Sequence, residues 1–285
     1  MKERVVTFGN HSQLTGIVTF ANIQLNPSRF SVLLLNPGLL HRVGFNRFNT
    51  DLARKVQSKG ISSLRFDMLG IGDSASYNTS LPYDSQAMID IDCAIDYLLN
   101  TTSSNNCVLI GLCSGADYSH HMAVNDNRNR ISGAVLLDGF AYHTLGYYLH
   151  DYFPGILNPF KILRFLYKKI ILKRLSSMRQ STSILQPENT YTRTFPPKNI
   201  VINEMQTIIN KGIKLLYIFS GGIPLYYNYE NQFKDMFKSV DFKNNVTFRY
   251  FKEANHTYTS ITQRNYLMQI IETWLVSLNN ISVNI

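Results

Sequence analysis

The sequence predicts an α/β protein whose mostly parallel sheet is covered by helices on both faces. Three observations lead there. Short continuous apolar runs, of the kind found in strands buried on both sides, recur along the chain; segments with helical spacing separate them; and the runs end at Gly, Pro, Asn or Asp. A sheet of this kind presents ligand sites beyond the carboxyl ends of its strands.

The chain opens with two β-like runs, residues 4–8 and 14–20, joined by a Gly/Asn-containing turn that reads as a hairpin. Residues 30–35, "FSVLLL", form the first fully apolar strand, which stops at Asn36-Pro37-Gly38. Residues 46–58 have helical spacing and end at Gly60, and residues 61–66 form the next buried run, ending at Asp67. The alternation continues with a helix over 84–99, a strand over 107–112, a helix over 114–124 and a strand over 131–137 that ends at Asp138. It resumes with a strand over 214–219, a helix over 229–237, a strand over 246–251 and a helix over 264–278. Residues 140–210 break the rhythm and read as an inserted helical cap, which leaves 1–139 and 211–285 as the core.

Composition narrows the class. With 45% hydrophobic and 16% charged residues, the 285-residue chain can bury a large core as one domain. The first ten residues lack the apolar centre of a signal peptide, and no apolar run is long enough to span a bilayer. A soluble cytoplasmic protein is the expectation. Cys93, Cys107 and Cys113 have no metal-ligand spacing and do not suggest a disulfide framework. The net charge of +9 is local: residues 161–179 hold seven basic and no acidic side chains, leaving 21 basic against 19 acidic elsewhere. Apolar residues recur among those cations at near-helical spacing, which predicts an amphipathic basic helix. Three partners suit it: an acidic acyl carrier protein, the phosphates of a coenzyme A thioester, or an anionic membrane surface. The commonest meaning of such a run is a cap helix with a solvated outer face. Nucleic acid does not suit it, because no recognition motif accompanies the charge.

The stretch "VLIGLCSGA" carries the chemistry. Gly111 and Gly115 bracket Cys113 in a Gly-x-nucleophile-x-Gly pattern, where a sharp strand-to-helix turn exposes the middle residue and the glycines let the chain pass without Cβ clashes. Cys113 is then the candidate nucleophile, and Ser114 leaves the turn in another direction. The positive end of the helix that starts at Ser114 favours a thiolate.

"LLLNPGLLHRVGFNRF", "LRFDMLGIGDS" and "GLCSGA" together resemble the α/β-hydrolase superfamily over nearly the whole chain. The nearest subgroup is the serine-aminopeptidase-like hydrolases, including exosortase-associated members with a cysteine in the elbow. The resemblance implies an eight-stranded sheet, and an acid followed by a histidine after the nucleophile. His256, directly after the last strand, takes the histidine's place. Where a Gly-Gly-Asp pattern is expected after the penultimate strand, this chain has Ile223. Asp138, at a strand carboxyl end on the elbow's rim, is the preferred acid, and Glu230 is the alternative. The resemblance also implies an oxyanion hole from the Leu39 and Ser114 amides. His41, Arg42 and Tyr142 are candidate pocket residues, and the tyrosines at 147, 148, 152, 226, 227 and 229, with Phe153, are a candidate acyl-pocket wall. Asp67 and Asp73 read as turn-bonding aspartates.

The reading that follows is an acyl-transfer enzyme acting on a thioester or ester through an acyl-cysteine, with water or another nucleophile as acceptor. It implies no metal and no cofactor. Two other readings remain open: a non-catalytic binding protein on this fold, and a hydrolase that uses Ser114.

Overall fold

The computed structural model describes residues 2–22, 28–156 and 193–281. Eight strands form one sheet: β1 (Lys2–Phe8), β2 (Leu14–Phe20), β3 (Phe30–Leu34), β4 (Ser63–Asp67), β5 (Asn106–Leu112), β6 (Ile131–Leu137), β7 (Lys214–Ser220) and β8 (Val246–Phe251). Their order is β1-β2-β4-β3-β5-β6-β7-β8. The opening hairpin pairs antiparallel and joins β4 antiparallel, and every pair from β3 to β8 is parallel. The parallel strands therefore end on one rim.

Two apolar layers explain why so many strands read as unbroken hydrophobic runs. In β5, Cys107 and Leu109 face one layer, while Val108, Ile110 and Leu112 face the other. The first layer packs under α2 (Tyr83–Thr102), α3 (Ser114–Asn125) and α5 (Lys198–Asn210). The second packs under α1 (Phe48–Gln57) and α7 (Ile261–Ile281). Each helix presents an apolar stripe to the sheet; on α2 it is Ala87, Ile91, Ala94, Ile95 and Leu98.

Two expectations change in extent. The helix expected over 229–237 is the short α6 (Gln232–Met236), because the preceding residues form turns in which the Gln232 side chain donates to the Tyr226 carbonyl at 2.7 Å and accepts from the Asn228 amide at 2.9 Å. The last helix is longer than expected at both ends. In the 140–210 segment, α4 (Leu145–Ile156) docks on the loop after β7, where the Tyr147 hydroxyl reaches the Pro224 and Leu225 carbonyls at 3.1 Å each. Val201, Met205, Ile208 and Ile209 of α5 are buried in the first apolar layer, so that helix belongs to the covering of the sheet. The basic helix expected over 161–179 lies outside the described residues. Among those described, no helix is long and apolar enough to cross a membrane.

Candidate active site

Cys113 stands at the joint between β5 and α3 with φ 56° and ψ −119°. A non-glycine residue held at positive φ is strained, and such strain collects at functional turns. The neighbours enforce the turn. A Cβ on Gly111 would collide with the Gly115 carbonyl, and one on Gly115 would lie 3.0 Å from the Asn36 carbonyl oxygen. The Cys113 amide donates to the Leu137 carbonyl at 2.9 Å, tying the elbow to the end of β6. The Cys113 carbonyl accepts from the Ala116 and Asp117 amides at 3.0 and 3.1 Å, which starts α3 beneath the thiol.

Ser114 points elsewhere. Its side chain is buried, and its hydroxyl oxygen accepts the Gly38 amide at 2.6 Å. That bond fastens the loop after β3 to the elbow helix. The amides of Leu39 and Ser114 take no hydrogen bond among the described residues.

The next residue along the rim is Asp138, at the end of β6, fully buried and itself at φ 48°. Its Oδ1 accepts from the Ser220 amide at 2.6 Å, and its Oδ2 accepts from the Ser220 hydroxyl at 2.7 Å. The same Oδ2 lies 2.7 Å from His256 Nδ1. A carboxylate only accepts, so the geometry assigns the proton to Nδ1. The imidazole also lies beside Cys113, close enough for each group to favour the other's charged form. One chain of contacts thus joins Asp138, His256 and Cys113, with Glu230 apart from it. Glu230 is exposed, and its contact is a backbone one: the Tyr227 hydroxyl donates to its carbonyl at 3.1 Å.

Gly221 and Gly222 explain how His256 reaches this place. A Cβ on Gly221 would run into the Lys252 carbonyl, and one on Gly222 would run into the His256 amide. The two glycines that precede Ile223 therefore keep a structural task, close passage of the histidine loop, although no acid follows them. Asn46 steadies the loop from the other side through Nδ2 to the Thr257 carbonyl at 2.8 Å.

The electrostatics favour charge separation between Cys113 and His256. The hydrogen bond to Asp138, then the neighbouring Cys113 sulfur, push His256 up to about 9 against the opposing effect of burial. Burial opposes ionisation of Cys113, but the neighbouring His256 and the Arg193 cation outweigh it and hold the thiol below its ordinary value. Cys107 behaves oppositely: complete burial drives its thiol far up.

The remaining expected residues separate by role. Arg42 is ion-paired to Asp67 and Asp73, while its amide donates to Asp67 Oδ1 at 2.5 Å. Asp67 also accepts the Asp73 amide at 3.0 Å, so this carboxylate organises a turn. His41 is exposed, with Nδ1 3.4 Å from the Val43 amide of its own loop. Tyr142 donates to the Pro196 carbonyl at 2.6 Å and packs edge-on against Phe195 and Phe237. Tyr227 is fully buried and stacks on Phe219 at 4.2 Å, which makes it core. The Tyr229 hydroxyl is engaged by Asp235 and Thr144 at 2.5 and 2.6 Å. The side chains of Tyr152 and Phe153 lie outside the described residues.

Sequence reasoning missed Ser220, Arg193 and Asp117. Ser220 carried a faint signal, being the polar residue that ends an apolar strand just before Gly-Gly. Arg193 carried none, because its partner Asp117 is far away in the chain. Arg193 Nε and Nη2 donate to Asp117 Oδ2 and Oδ1 at 2.6 and 2.7 Å, and Nη2 also donates to the Asp138 carbonyl at 3.0 Å. Among the described residues, no three His, Cys, Asp or Glu side chains gather where they could hold a metal ion.

No protein-family model and no curated protein matches the chain. Solved structures do match. An esterase from Pyrococcus furiosus is similar with a TM-score of 0.58 and 15% identity over 96% of this chain and 92% of its own. Proline iminopeptidase from Mycobacterium smegmatis matches with a TM-score of 0.58 and 11% identity over 99% and 100% of the two chains. An α/β serine hydrolase homologue from Coxiella burnetii gives 0.57 and 12% over 96% and 97%. The chain has the α/β-hydrolase fold.

Proposed function

We propose that the protein is an acyl-transfer enzyme of hydrolase type, in which Cys113 is the nucleophile, His256 the general base and acid, and Asp138 the residue that orients His256. The observation that carries this reading is the hydrogen bond from buried Asp138 to His256, with that imidazole beside a cysteine at a strained strand-to-helix elbow. The esterases and serine hydrolases of the same fold support hydrolytic acyl chemistry as the class.

In the proposed cycle the Cys113 thiolate attacks a carbonyl carbon, and the oxygen that gains the electron pair is received by the Leu39 and Ser114 amides. The tetrahedral species collapses, the bond to the leaving group breaks, and protonated His256 gives that group its proton. The acyl-cysteine is then resolved by water, or by another nucleophile, whose proton returns to His256. A thioester or activated ester suits this site, because a thiolate leaving group needs little protonation. Ser114 is the weaker nucleophile candidate: its hydroxyl is buried and receives the Gly38 amide.

The part of residues 140–210 that precedes α5 is proposed to cover the rim of the site. The basic run 161–179 is proposed, on charge alone, to meet an acidic acyl carrier protein or a coenzyme A thioester. A cytoplasmic setting fits a working thiol, which must stay reduced.

Intact-mass spectrometry of protein mixed with an acyl thioester tests the reading. Acylation is expected in the wild type and in Ser114→Ala, and not in Cys113→Ala. Acylation that persists in Cys113→Ala and vanishes in Ser114→Ala would hand the chemistry to Ser114, and no acylation of any form would favour a binding protein.

A further inference from the structure

Arg193 enters the site from the segment just before α5. Its guanidinium grips two elements at once. Two of its nitrogens take both oxygens of Asp117, in the first turn of the elbow helix, and one also donates to the carbonyl of Asp138, the residue whose side chain holds His256. Phe195 supports the guanidinium face, with the ring centroid 4.6 Å from Cζ, and Phe195 itself packs against Phe140 and Tyr226. The pair is largely shielded, with 16% of the Arg193 side chain and 10% of the Asp117 side chain exposed.

We propose that Arg193 is a positioning residue for Cys113: it locks the elbow helix to the end of β6 and supplies the positive field in which the nucleophile sits. The proposal rests on Cys113 being the reactive group of the site. A bidentate Arg–Asp pair could be a plain structural clamp, and the charges distinguish the two cases. The charged groups that act on Cys113 are His256 from the loop after β8, Arg193, and Asp117 in the first turn of α3, and Asp117 in turn feels His120 and His121 of the same helix. Arg193 helps Cys113 ionise and Asp117 opposes it, and the Arg193 effect is the larger. If the field matters, removing the cation and removing the anion must act on Cys113 in opposite directions. If only the clamp matters, both removals break the same clamp and must act alike.

The test is the pH dependence of Cys113 alkylation by iodoacetamide, followed by peptide mass in the full chain. The alkylation midpoint is expected to rise by about one pH unit in Arg193→Met and to fall in Asp117→Asn, with Arg193→Lys between Arg193→Met and the wild type. The Arg193→Met/Asp117→Asn double variant should return toward the wild-type midpoint. Single variants that move the midpoint in the same direction, or leave it where it was, would overturn the proposal. Should Arg193→Met fail to fold, Asp117→Asn and Arg193→Lys still decide the sign. Because this readout follows the thiol itself, it is separate from acyl turnover: activity surviving in Cys113→Ala would overturn the proposed function without touching the alkylation result.

Discussion

The two halves of the candidate site are built in opposite ways. The elbow half is contiguous: Gly111, Cys113, Ser114 and Gly115 fall within five residues, and their spacing alone forces the turn. The acid–histidine half is assembled from the ends of three strands, with Asp138 after β6, Ser220 at the end of β7 and His256 after β8. Both halves rely on a glycine where two stretches of backbone nearly touch, Gly111 in the elbow and Gly222 under the histidine loop. The comparison teaches that a local half tolerates no change in its own few residues, whereas a dispersed half can relocate a member. Here the carboxylate stands at 138, although the glycine pair that would precede an acid at 223 is still present.

The largest expected effect comes from removing the reacting groups. Cys113→Ala should abolish acyl turnover, and His256→Ala should lower it by about 10²–10⁴-fold, both read as kcat/KM on a thioester. A next pair of variants sharpens the contrast between the halves. Gly111→Ala sets a methyl against the Gly115 backbone deep in the fold and should destabilise the protein by about 3 kcal/mol in denaturant unfolding. Gly222→Ala sets a methyl against the His256 backbone at the exposed rim, outside the apolar layers, so it should cost less stability than Gly111→Ala while turnover falls through displacement of His256. Equal losses of stability in the two would erase the distinction.

Most of the elbow was legible in the sequence because its constraints are local. The parallel order was legible too, since apolar runs ending in turn residues mark strand ends, and strand ends on a parallel sheet share a rim. The strand pattern alone therefore puts Cys113, Asp138 and His256 on one edge. Two further partners of Asp138 were not legible. Ser220 and Arg193 reach it only through the β6–β7 pairing and the packing of the segment before α5, and nothing in a single strand's pattern encodes a contact across such a span. The lengths of α6 and α7 were missed for a simpler reason: side-chain bonds such as those of Gln232 end a helix without changing its apolar spacing.

Smaller effects test the dispersed half. Ser220→Ala removes one hydroxyl donor from Asp138 and leaves the His256 contact in place, so turnover should fall only several-fold, in line with about 1 kcal/mol for one hydrogen bond. The pH response follows from the directions at Cys113 and His256. Turnover should rise through a midpoint below the ordinary thiol value as Cys113 ionises, and fall through about pH 9 as His256 loses its proton. The stability contribution has the same upper edge. Because His256 is raised above its unfolded value, its share is fully present below about pH 6.5 and is lost as the pH climbs through about 9.

The most direct check of the central claim, that Asp138 holds His256 for Cys113, is an NMR titration of the His256 ring in the wild type, Asp138→Asn and Glu230→Gln. The wild type and Glu230→Gln are expected to titrate near 9, and Asp138→Asn well below it. A midpoint near 9 that survives in Asp138→Asn and drops in Glu230→Gln would contradict the account.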